Sequence, residues 1–130
     1  MKSLIAIVAG VVVAGVTGFL VQTVGDMLLG HFIGLEPISA QGAAALGTNR
    51  ATEALMVVVA GYFLGPLAGG YVAARLAPVH REYHAITVGV FQMVFAIIAL
   101  ALFPHPGWFT AATVLAFVPG SLVGAALSRV

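Results

Sequence analysis

At 130 residues, with 62% hydrophobic and only 7% charged side chains, the chain lacks the polar surface of a water-soluble domain, and its mean hydropathy is +1.14. Composition therefore points to an integral membrane protein, and a net charge of +1 without any basic run excludes nucleic acid as a partner. The absence of cysteine removes disulfides, thiolate chemistry and sulfur-ligated metal centres.

A spanning helix needs about 20 apolar residues to cross a hydrocarbon core of roughly 30 Å. The first such stretch covers about 3–25. Lys2 precedes it, but the run is too long for the apolar core of a cleaved signal sequence, so a retained helix is expected. Ala6, Gly10, Ala14 and Gly18 recur every fourth residue along it, and the same row continues to Gln22 and Asp26. The loop of about 26–51 is the one long connection. Met27–Ile33 offers a prolongation of the first helix, and Ser39–Leu46 a short helix on the outer surface.

The second span, about 54–74, carries the clearest row: Gly61, Gly65, Gly69 and Ala73. Mid-helix glycine costs roughly 1 kcal/mol relative to alanine in a soluble helix, whereas in lipid a stripe of small residues lets backbones approach. Pro66 in this span, and Pro119 in the last, each remove a backbone donor and predict kinks. The third span, about 85–103, and the fourth, about 109–127, are joined by Pro104-His105-Pro106-Gly107, too short for anything but an antiparallel hairpin. Trp108 is the interfacial anchor beside that turn. Ala112, Ala116, Gly120, Gly124 and Ser128 form the third small-residue row.

The expected architecture is an all-α membrane protein: one domain over 1–130, a four-transmembrane-helix bundle. An even number of spans puts Lys2, Arg75, Arg81 and Arg129 on one side and leaves Arg50 opposite, so both termini are expected in the cytoplasm. The helix-packing residues are Gly10, Gly18, Gly61, Gly65, Gly69, Gly120 and Gly124.

Gln22, Asp26, His31, Arg50 and Glu53 make a candidate polar cluster at the outer end, read either as a vestibule that binds a cation or as ordinary boundary charge. Asp26 stands roughly 35 Å along its helix, near headgroup level. His80 and His84 are spaced for one helical face, but Glu82 is misplaced for a zinc peptidase and no third ligand is near. Arg75, Arg81 and His84 are read instead as contacts to anionic lipid headgroups. Gln92, the one amide near mid-span, is read as interhelical glue. No nucleophile with an adjacent base, no phosphate-binding glycine loop and no facing histidine pair can be assembled, so no catalytic, cofactor or metal residue is assigned and no enzyme is expected.

The run Gly69-Gly70-Tyr71-Val72-Ala73-Ala74-Arg75-Leu76-Ala77-Pro78, followed by His84-Ala85 and Gly89, resembles an uncharacterised family of small bacterial four-helix inner-membrane proteins. Gly25-Asp26, His31 and Pro37, and the turn Pro106-Gly107-Trp108, are similar to that group as well. The resemblance implies a bacterial inner-membrane location and four helices; it implies no activity. The functional expectation is a protein that acts through helix–helix contacts, as a homo-oligomer or an accessory subunit of a larger membrane complex, its partners being the bilayer and other membrane helices. In that expectation lipid-facing glycine rows, with Gly65 and Gly69, are used between chains, while the face of the first helix that leads to Gln22 and Asp26 looks inward. The alternative is a small oligomeric transporter or channel with a path near Gln92 and Tyr62.

Overall fold

The computed structural model describes residues 1–33, 52–102 and 106–130. These residues are all-helical. Four helices, α1 (Lys2–Ile33), α2 (Thr52–Leu76), α3 (Arg81–Leu102) and α4 (Gly107–Leu127), are each long and apolar enough to cross a membrane. The expected surface helix over Ser39–Leu46 lies outside the described residues.

α1 is longer than the other three, with 32 residues against 25, 22 and 21. Met27, Leu28 and Leu29 are strong helix formers, so nothing stops the helix where its first long apolar run gives way to polar residues. α2 continues through Pro66 and α4 through Pro119 without interruption. Pro66 is fully buried, so the surrounding helices shield the ladder position at which a donor is missing. α3 begins four residues earlier than the apolar run alone predicts, at Arg81 rather than about 85, directly after the turn Ala77–His80.

The small residues fix how the helices meet. Gly69 lies against Gly10, Gly65 against Ala14 and Gly18, and Gly61 against Gly18 and Gln22. Residue numbers rise along α1 as they fall along α2, so the pair is antiparallel, and backbone meets backbone from Gly10 to Gly18 on α1 and from Gly69 to Gly61 on α2. The opposite face of α2 takes α4. There Gly120 lies on the Phe63 carbonyl, Gly124 on that of Leu67, and Gly70 on Ser121, a parallel pairing. α3 closes the remaining side. Gly89 packs on Phe117 and Ser121 of α4, Ala85 meets Ala74 and Ala125, and Val88 sits between Ala14 and Ala73. The result is an up-down-up-down bundle with α2 at its centre.

This arrangement corrects the outward reading of the glycine rows. Gly10, Gly18, Gly61, Gly65, Gly69, Gly120 and Gly124 are consumed inside a single chain. The reason lies in α2, which carries Gly61, Gly65 and Gly69 on one face and Gly70 on another, and so accepts a close neighbour on each. What faces outward is bulky. Leu4, Val8, Val12, Val16, Leu20, Val24 and Leu28 form an exposed ridge at every fourth residue of α1, on the side away from the small-residue row. On α3 the exposed face comprises Val90, Phe91, Val94, Phe95, Ile98 and Leu102.

Candidate functional site

The polar groups inside the bundle are few, and their bonds show what each one does. Gln92 donates from Nε2 to the Val11 carbonyl at 3.2 Å, tying α3 to α1 where Gly15 leaves room beside it. Ser121 donates to Val118 at 2.9 Å within α4, and on the outer face of α3 the exposed Thr87 donates to Tyr83 at 2.7 Å. Thr113 is fully buried, and its hydroxyl has no hydrogen-bond partner among the described residues. Phe109, one turn before it on the same helix, belongs to a buried cluster with Leu55 and Val58 of α2. The sequence marks Thr113 as one of the few polar side chains at membrane depth, but nothing in its spacing says what it faces.

The structure brings together part of the expected polar cluster. Gln22 and Asp26 stand one turn apart on the inward face of α1. Gln22 lies over Gly61, where the missing side chain gives it space, and Asp26 is 8% exposed. Asp26 is therefore largely enclosed by protein, and it is not without a partner. The α1–α2 register, continued, sets the backbone of Glu53 level with Asp26. His31 is exposed, on a different face of α1 from Asp26, and it too is partnered. Arg50 lies outside the described residues, as does the side chain of Glu53. Among the described residues no three metal-ligating side chains gather.

At the opposite end the antiparallel register gathers Lys2, Arg75, Arg81 and Arg129, and the three residues read as headgroup contacts take different roles. Arg75 donates from Nη1 to the Ser128 carbonyl at 3.2 Å, placing a cation on the C-terminal turn of α4, where the helix dipole favours it. Arg81 is exposed. His84 is a correction: it is 8% exposed, turned into the bundle, and its ring Nδ1 donates to the His80 carbonyl at 3.1 Å. An imidazole held this way supports a turn and is not presented to a lipid surface.

That turn is strained. His80 has φ 48°, the left-handed region that non-glycine residues enter at a cost of about 1–2 kcal/mol. Its carbonyl accepts from the backbone N–H of Tyr83 at 3.0 Å and of His84 at 3.4 Å besides the His84 ring, and these bonds hold the conformation. Beyond it, Arg129 pairs with Glu82 across α3 and α4. Both partners are more than half exposed, so the pair adds little to stability and has its main effect on local shape. Arg129, Tyr83 and His80 were not legible as neighbours in the sequence, since only the hairpin geometry of α3 and α4 joins them.

Comparison of the chain with protein-family models, with curated proteins and with solved structures gives no match.

Proposed function

We propose that the chain is a multi-pass protein of a bacterial inner (cytoplasmic) membrane that acts through helix–helix contacts, as a homo-oligomer or as an accessory subunit of a larger complex. The gathering of Lys2, Arg75, Arg81 and Arg129 at one end supports an orientation with both termini in the cytoplasm. Asp26 and the start of α2 then mark the outer side.

One observation carries the reading of helix docking. Between α1 and α2 an open apolar groove of about 420 Å³ is lined by Leu20, Val21, Val24 and Leu28 on one side and by Val57 and Ala60 on the other. It runs beside the long aliphatic ridge of α1. Ridge and groove together are the surface relief into which a neighbouring helix interlocks. In a bilayer such contacts are selected by shape, because lipid tails are as apolar as leucine and no hydrophobic gain separates one partner from another. The transporter alternative is less well supported, since the mid-span amide of Gln92 is spent on Val11.

Filling the groove from one wall tests this. Ala60→Trp leaves every glycine seam untouched, because Ala60 is exposed. The expected result, read by native mass spectrometry after extraction in mild detergent, is loss of the oligomer or of a stoichiometric companion that the unmodified chain retains. An unmodified chain that runs alone, or an assembly that survives the substitution unchanged, counts against the proposal.

A further inference from the structure

The cationic end of the bundle holds a half-open cleft of about 380 Å³, lined by His80, Arg81, Glu82, Tyr83 and Arg129. Its size falls in the range of small-ligand sites, roughly 300–1,000 Å³. The walls are held in place. The turn at His80 is fixed by the bonds to its carbonyl, and the Glu82–Arg129 pair joins α3 to the end of α4. The Arg81 side chain, by contrast, is exposed at the cleft.

The charges decide what fits. Two arginines against one glutamate leave a single net positive charge, which matches a monoanionic phosphodiester. The Glu82 carboxylate only accepts hydrogen bonds, so it favours a headgroup that donates them, as a glycerol hydroxyl does and a choline does not. Tyr83, 69% exposed, stands at the mouth with the His80 ring edge-on at 5.8 Å, an amphipathic aromatic suited to headgroup depth. We propose that this cleft binds the phosphate of an anionic phospholipid whose headgroup carries hydroxyls, with Arg81 as the cation that meets it. The site rests on the membrane reading above and adds a ligand to it.

Phosphatidylglycerol and phosphatidylcholine, in mixed vesicles, are the probes. After reconstitution and extraction in mild detergent, native mass spectrometry is expected to find one phosphatidylglycerol per chain retained in preference to phosphatidylcholine. Arg81→Gln lowers that retention roughly fivefold, the loss set by one cation near an anionic surface. Lys2→Gln removes the same charge from the same end but outside the cleft, and leaves retention unchanged. Equal retention of the two lipids, or equal losses in the two variants, overturns the site in favour of diffuse surface attraction. Glycerol phosphate offered without acyl chains separates the two sources of the headgroup, and binding as tight as that of the lipid overturns the lipid assignment. Alkaline extraction of the vesicles is the check on the underlying reading. If neither the unmodified chain nor Arg81→Gln resists it, the membrane reading fails and this site with it.

Discussion

Gly69→Leu is expected to destabilise the bundle by about 3 kcal/mol or more. An added Cβ alone would stand 2.6 Å from the Ala14 Cβ and closer still to the Gly10 carbonyl oxygen. A backbone carbonyl has no rotamer in which to step aside, so the helices must separate. Separation opens the core formed by Ala14, Ala73 and Val88 and forfeits the backbone contacts on either side. The cost should therefore exceed the usual range for overpacking, roughly 1–3 kcal/mol. Unfolding of the purified protein in mixed micelles, followed by circular dichroism against denaturing detergent, measures it. Gly107→Ala supplies the comparison, because nothing lies within 4 Å of its added methyl. A comparable loss at both positions would show that the seam is not where the destabilisation arises.

The second large effect is expected at Phe117→Ala, about 2 kcal/mol. Phe117 is 2% exposed and lies against Tyr62, with ring centroids 5.1 Å apart. In a water-soluble core the same truncation costs roughly 3–5 kcal/mol, of which part is transfer of the ring out of water. A bilayer removes that part, because the unpacked ring would meet acyl chains instead. What remains is the void, and roughly 100 Å³ at about 24 cal/mol per Å³ gives the expected figure. Leu115→Ala on the same helix should cost close to nothing, since Leu115 is 69% exposed. Equal costs at 115 and 117 in the same micellar unfolding assay would contradict the way α4 faces.

The contrast between these positions shows what the sequence made legible. Four apolar runs of sufficient length were readable because bilayer thickness sets a minimum span and almost no charge interrupts them. Helix ends were less so. The continuation of α1 to Ile33 was legible, because Met27, Leu28 and Leu29 sustain a helix past the first apolar run, whereas the start of α3 at Arg81 was not. The rows at Gly61, Gly65 and Gly69 and at Gly120 and Gly124 were visible as periodicity, yet a period of four says which residues share a face and nothing about what meets it. Only three-dimensional placement shows that Gly69 meets Gly10 and that Gly124 meets Leu67. The outward assignment failed for this reason, as one helix with two small faces can satisfy two neighbours of its own chain.

The polar residues were harder still. Arg75 and Arg81 are alike in the sequence, but one lies against the Ser128 carbonyl and the other stands open at a cleft. His84 has the composition of a surface residue near a cluster of cations. It is nonetheless buried, because α3 begins at Arg81 and a helical turn carries position 84 onto the same inward face as Ala85 and Val88. That displacement of the helix start by four residues changed which end-group residues were available to a ligand. His80 and Arg129 were visible in the sequence as polar residues of one end, but their placement with Tyr83 around one cleft was not.

The central claim is that the glycine seams close within one chain of a four-pass bundle, leaving the aliphatic ridge of α1 and the groove beside it for partners. The chain's lack of cysteine makes a direct test possible, since introduced thiols are the only ones present. Ala14→Cys combined with Ala73→Cys places one thiol on α1 and one on α2 inside the same buried cluster. Oxidative crosslinking in intact membranes is expected to join them within a single chain, giving a species at the mass of the monomer with no free thiol. Crosslinked dimers, with little closure inside the monomer, would show that the seams are shared between chains and would contradict the account.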